Sequence, residues 1–231
     1  MQKVGCSDGR PPTHLEEDRV NTAAMPRPFG ALTLCTMATA VLALFAAHVS
    51  GAATGTTVPC PGTSSTAFAQ WGDQDQYTLA PNGDFEAANF ATASGWTLTG
   101  GAAQVAGNES FGVHAKTDSH SLSLPAGATA TTPSICVNVY DPTIRLFATG
   151  GTGSSLAVSV IATLTNGTVV TLPLGKLSPG ATWTPTPAIY FFANLLALRS
   201  ANGTANVQFR FTAAGTGVKI DDLYLDPRKG H

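Results

Sequence analysis

LAVSVIATLTNGTVVTLPL, residues 156–174, is the stretch from which the fold class is read. Leu156, Val158, Val160, Ala162 and Leu164 share one face of an alternating run, the period-2 pattern of a strand with one side buried. A second β-branched run begins at Val169, and Asn166-Gly167 lies between the two. An Asn-Gly pair in that place predicts a hairpin closed by a type I′ turn, with positive φ at both central residues. Asn166-Gly-Thr is also a glycosylation acceptor string, as are Asn108-Glu-Ser and Asn202-Gly-Thr, but at Asn166 the turn reading is preferred.

The same rhythm extends in both directions. GWTLTG, AAQVAG and SLSLP read as strands upstream, followed by SICVNV and TIRLFA, where Ile144 and Leu146 lie opposite Arg145 and Phe147. Downstream, NVQFRFTA alternates Val207, Phe209 and Phe211 inward with Gln208, Arg210 and Thr212 outward. GVKIDDLYLDP closes the series, with two acids interrupting its pattern. Short β-branched runs punctuated by Gly and Pro, with no long amphipathic helix beyond a turn around Leu195 to Arg199, predict an all-β domain of two antiparallel sheets.

The N-terminal part has a different composition. Residues 31–47, ALTLCTMATAVLALFAA, follow Arg27 and precede the small residues of HVSGAA, the three-part pattern of a secretory signal. The expected organisation is a targeting region over 1–51, with 1–24 an over-extended start ahead of Met25. A loosely ordered arm over 52–76 and a sandwich over 77–231 follow. Secretion to the extracellular space, without stable membrane insertion after cleavage, is the implied location. From residue 52 onward the chain carries 8 Lys/Arg against 10 Asp/Glu, with no basic stripe, which argues against nucleic acid and anionic membranes as partners. Cys60 and Cys136 are the two cysteines of that part, and in an exported domain they are expected to pair.

Two segments carry a resemblance. PNGDFEAANFATASGW (81–96) opens the sandwich and KIDDLYLD (219–226) closes it, with SHSLSLP and GATWTPTP between them. Together they resemble the jelly-roll carbohydrate-binding modules of the galactose-binding-like superfamily, and the layout over Tyr77 to Pro227 is similar to that of small secreted bacterial proteins built on one such domain. The resemblance implies that the first and last strands lie side by side and hold a structural Ca2+. Glu86 and Asp221 match the usual ligand positions, with Asp222 an adjacent alternative. Hard cations of this kind take oxygen ligands.

Catalytic motifs are not evident. There is no G-x-S-x-G elbow, H-E-x-x-H string, C-x-x-C pair or Gly-rich phosphate loop. Asp221 and Asp222, alternating along a strand, are expected to point to opposite sides and so not to form a glycosidase pair. His114, Asp118 and His120 in VHAKTDSHS can be read as a transition-metal cluster, but the preferred reading is a polar loop between two strands without shared ligand geometry. Lys116, Arg145 and Arg210 read as solvated charges. The expectation is a protein that is not an enzyme.

A carbohydrate or cell-surface glycan is the expected ligand. Trp96 and Trp183 fall at packing positions of the family. Trp71, Tyr77, Phe111 and Tyr140 are left as candidate ligand-binding aromatics. The alternative is a structural or adhesive extracellular protein, which predicts an exposed apolar patch in place of a polar groove.

Overall fold

A computed structural model describes Cys60 and residues 62–226; the targeting region and the over-extended start lie outside the described residues. In chain order the strands are β1 (Ser64–Ser65), β2 (Tyr77–Leu79), β3 (Thr97–Thr99), β4 (Ala103–Ala106), β5 (His120–Leu124), β6 (Thr129–Thr131) and β7 (Ile135–Asn138). They continue with β8 (Thr143–Gly150), β9 (Ser155–Thr163), β10 (Val169–Leu177), β11 (Thr184–Pro185), β12 (Ile189–Tyr190), β13 (Thr204–Ala214) and β14 (Val218–Asp226). One helical turn (Phe90–Ala93) and two 3-10 segments (Ala69–Trp71 and Phe192–Arg199) complete the described elements.

The strands form two antiparallel sheets packed as a jelly-roll sandwich. In the first sheet β14 is central, paired along its length with β8 on one side and with β5 and then β2 on the other. In the second sheet β13 is central, flanked by β9 on one side and by β7 and β6 on the other. The core lies between these two strands. Leu122, Leu124, Ile144, Leu146, Val218 and Ile220 fill it from the first sheet, and Leu156, Val158, Val160, Val207, Phe209 and Phe211 from the second. Each set obeys the alternation read from the sequence. Trp96 is buried, as expected, and its indole N–H donates to the Pro81 carbonyl at 3.1 Å.

The β9–β10 hairpin forms, but one residue away from the register that a two-residue Asn166-Gly167 loop implies: Val170 is opposite Ala162 and not Thr163. Its turn differs from the prediction. Gly167 has φ +81° but Asn166 does not take positive φ, and the amide of Gly167 reaches back to the Leu164 carbonyl at 2.9 Å. Thr165 and Asn166 therefore form the centre of a tight turn and Gly167 the left-handed residue of a bulge, the other common hairpin closure.

The outer face of the first sheet is covered. Residues 62–76 cross it, β1 pairs with β2, and Cys60 is disulfide-bonded to Cys136 as expected. Phe68, fully buried, packs on Tyr77, Phe147 and Tyr224. Arg145 departs from its expected role as a solvated charge. Its guanidinium carbon lies 4.0 Å from the Phe68 ring centroid, and Nη1 binds Asp73 Oδ2 at 2.6 Å. The arm supplies both partners, so a side chain that alternation points outward is still enclosed.

Candidate functional site

The two terminal motifs meet. Tyr224 of β14 is opposite Leu79 of β2, the Ala80 amide donates to the Leu223 carbonyl at 2.8 Å, and the Leu223 amide donates to the Gly83 carbonyl at 3.0 Å. The string NGDFE has a backbone reason. Asn82 and Phe85 take φ +51° and +56°, and a Cβ on Gly83 would sit 2.8 Å from the Leu223 carbonyl oxygen. Phe85 is then driven into the core against Phe90 and Trp96.

Strict alternation fails at the acids of β14. The register shifts between Asp221 and Tyr224, and Asp222 adopts φ +46°. This bulge turns both carboxylates toward the same covering loop between β4 and β5, correcting the expectation that they point to opposite sides. Asp221 Oδ2 accepts the Glu109 amide at 2.8 Å and Asp222 Oδ2 accepts the His114 amide at 3.2 Å. Glu109, equally buried, accepts the amides of Phe111 and Val113. Nothing in Asn108-Glu-Ser marks Glu109 as interior.

This concentration of acid shifts the titrations. Burial pushes the Asp221 carboxyl up to about 9; the Glu109 and Asp222 amides oppose the shift, and the charges of Asp222 and Glu109 add to it. Burial, then the Glu109 charge, pushes Asp222 up to about 7. Burial lowers His114's affinity for a proton, but the hydrogen bond and charge of Asp118, with Asp84 and Asp222, outweigh it and raise its pKa.

The expected ligands part company. Glu86 accepts the amides of Ser119 and His120 at 2.8 and 2.6 Å and the His120 ring at 2.9 Å. Burial works against its ionisation, but these partners hold its carboxyl below the usual range. Among the described residues, the group whose ligand atoms converge is His114, Asp118 and Asp222, all within 4.8 Å of one another. His114 Nδ1 is 2.8 Å from Asp118 Oδ2 and 3.8 Å from Asp84 Oδ2. Two of these residues belong to the loop read as having no shared geometry. Glu86 and Asp221 are not in the group, so the residues do not fit the calcium shell implied by the resemblance.

The aromatic candidates divide as well. Trp71, Tyr77 and Phe111 are brought together around Phe68 and Phe147, with Trp71 and Phe111 rings edge to face at 4.9 Å. Tyr77 is buried and its hydroxyl donates to Asp73 at 2.7 Å, so it offers no face to a ligand. Tyr140 is half exposed on the β7–β8 turn, outside this cluster. Trp183 is not in the core. One side packs against the aromatic cluster, while the residue lines a surface groove of about 730 Å3. Lys219, Thr149 and Ser123, side by side on β14, β8 and β5, line it too, with Ser110 at the loop. Trp183 and Lys219 are not among the residues expected for the site; the run of Thr and Pro around Trp183 is the local sign of a surface segment, which leads into the two-residue β11.

Among the described residues, no helix is long and apolar enough to cross a membrane. No protein-family model and no curated protein matches the chain. Solved structures do. The chain is similar to the CBM22-1–GH10 modules of endo-1,4-β-D-xylanase 10B from Clostridium thermocellum, complexed with xylohexaose, at 18% identity and TM-score 0.43 over 59% of this chain. It spans about a quarter (26%) of that structure's length. It is similar to the CBM22-1 xylan-binding domain of Paenibacillus barcinonensis Xyn10C (15%, TM-score 0.41, 61% of this chain and 90% of that one). It is also similar to the carbohydrate-binding module CBM6cm-2 of Cellvibrio mixtus lichenase 5A, in complex with cellotriose (15%, TM-score 0.36, 57% and 88%).

Proposed function

We propose that this is a secreted, extracellular, non-catalytic jelly-roll domain that binds a carbohydrate or cell-surface glycan in the groove beside Trp183. The observation that carries this reading is the pairing of a half-buried indole with a row of hydroxyl and ammonium groups across three adjacent strands. An aromatic face stacks on the C–H face of a sugar ring, and fixed polar groups take its hydroxyls. Phe111 and Trp71 border that face of the sheet and extend the aromatic surface. Export is supported by the apolar run over 31–47 and by the disulfide.

Affinity electrophoresis against a panel of soluble polysaccharides tests the proposal. Retardation by one glycan class, lost in Trp183→Ala and weakened in Lys219→Ala, is the expected result. Equal mobility on every glycan, or retention unchanged by Trp183→Ala, overturns it.

One observation favours the second reading, an adhesive or structural protein. Tyr190, Phe192, Leu195 and Leu198 are all exposed on and next to the 3-10 segment after β12, Phe192 to 76%. Large apolar side chains gathered on a surface mark contact sites. Self-association or partner capture abolished by Phe192→Ser with Leu198→Ser, in a protein that binds no glycan, would select this reading.

A further inference from the structure

The seam between the β4–β5 loop and the bulge of β14 holds a ligand set of a different kind from the oxygen shell that the resemblance implies. His114 and Asp118 come from the loop and Asp222 from the last strand, and their ligand atoms converge within 4.8 Å. Asp84 Oδ2 adds a third acid, 3.8 Å from His114 Nδ1. Asp222 is 1% exposed and its Oδ1 is buried without a hydrogen-bond partner, although its other oxygen is satisfied by the His114 amide. A buried carboxylate oxygen left unpartnered is costly, and a native fold normally supplies what completes it. Among the described residues no Lys or Arg forms an ion pair with this group, so one imidazole faces three carboxylates. That ring is partly open to solvent, which leaves a way in.

We infer that His114, Asp118 and Asp222 bind a divalent transition ion of the zinc type, with Asp84 as its outer carboxylate. The donor set decides the class. One imidazole nitrogen with two or three carboxylates suits Zn2+, which takes about four N and O ligands. Ca2+ asks for six to eight oxygens, and Glu86, which would supply two of them, is held by Ser119 and His120. The proton shared between His114 Nδ1 and Asp118 Oδ2 leaves to solvent when the ion takes its place. The inference stands apart from the glycan reading, since the groove beside Trp183 shares none of these residues.

The test uses untagged protein stripped with EDTA and dialysed, followed by titration calorimetry and thermal melts with ZnCl2 and, separately, CaCl2. One equivalent of Zn2+ is expected to bind and raise the midpoint, while Ca2+ at the same concentration leaves it in place. His114→Ala and Asp118→Asn, both in the covering loop, should each weaken Zn2+ by about tenfold or more while the metal-free midpoint holds. Asp222→Asn is a harsher probe because the side chain is interior. Absence of stoichiometric Zn2+ binding overturns the inference, as does a His114→Ala protein that binds Zn2+ like the parent. A midpoint raised by Ca2+ and kept in His114→Ala overturns it too, and assigns an oxygen-only site. Glycan retention is measured separately and is expected to be unchanged in His114→Ala.

Discussion

Gly83 and Leu223 meet backbone to backbone: the Leu223 amide donates to the Gly83 carbonyl at 3.0 Å, and a Cβ on Gly83 would lie 2.8 Å from the Leu223 carbonyl oxygen. The contact joins the two terminal motifs, and only hydrogen fits there. Gly83→Ala should therefore destabilise the domain by about 1–3 kcal/mol, through forced separation of β2 from β14. Urea unfolding followed by fluorescence of the buried Trp96 measures it, and an unchanged midpoint would mean that the seam yields freely.

Phe68 ties the arm to the sheet. Its ring lies between the Arg145 guanidinium and the aromatic cluster, 4.7 Å from Tyr77 and 5.5 Å from Phe147 by centroid. Phe68→Ala should cost about 3 kcal/mol or more. It should also expose Trp71, now 6.1 Å from that ring, seen as a red shift in emission.

Asp141 gives a pH signature away from the acidic seam. Burial pushes its carboxyl up to about 6, against the Asn138 amide that donates to it at 2.7 Å and with the charge of Asp226 adding. Its ordinary value is 3.8, so folding favours the protonated form. The contribution is fully present below that value and is lost as pH rises through about 6. Asp141→Asn keeps an oxygen for the Asn138 amide and removes the titration. The stability difference between parent and variant should change by up to about 3 kcal/mol across this window. Parallel stability curves from pH 4 to 7 would sink the assignment.

Reduction of the Cys60–Cys136 bond frees a loop with a sequence separation of 76. On the chain-entropy model the loss is about 4 kcal/mol, and denaturant melts with and without reductant should differ by an amount of that order. Because the arm is also held by Phe68, β1 and Arg145, the reduced protein should still show a cooperative transition.

Structure is legible in the sequence where one side chain decides one position. Period-2 alternation locates Val207, Phe209 and Phe211 and the inward face of β9, because burial on one face leaves no choice of phase. The largely exposed β10, in contrast, pairs one residue away from the register that an Asn-Gly loop implies. Alternation fails where a second layer of chain arrives. Arg145, Phe147 and Tyr77 read as outward or displayed, yet the arm and the β4–β5 loop enclose them, and neither segment carries a periodic signal. The acids of β14 show a related limit. A bulge changes which face Asp222 meets, and no residue in KIDDLYLD announces a left-handed aspartate. The resemblance puts Trp183 at a packing position, whereas the β11 that follows it is a two-residue strand paired to Phe147 and Ala148 of β8, and Trp183 itself lies outside any strand. The convergence of His114 and Asp118 on Asp222 depends on a contact more than a hundred residues apart, which spacing within the loop does not reveal.

The central strand of each layer comes late in the chain: β13 and β14 are consecutive, joined across the short Gly215–Gly217 turn, and every described partner of either one precedes them. During synthesis, all the flanking strands therefore leave the ribosome before the ribbons that must sit between them. The second layer cannot close until β13 is complete at residue 214, nor the first until β14 is complete at residue 226, so both close late and through distant pairings. A chain with this order stays pliable while it is being threaded through any narrow passage, and becomes rigid only afterwards.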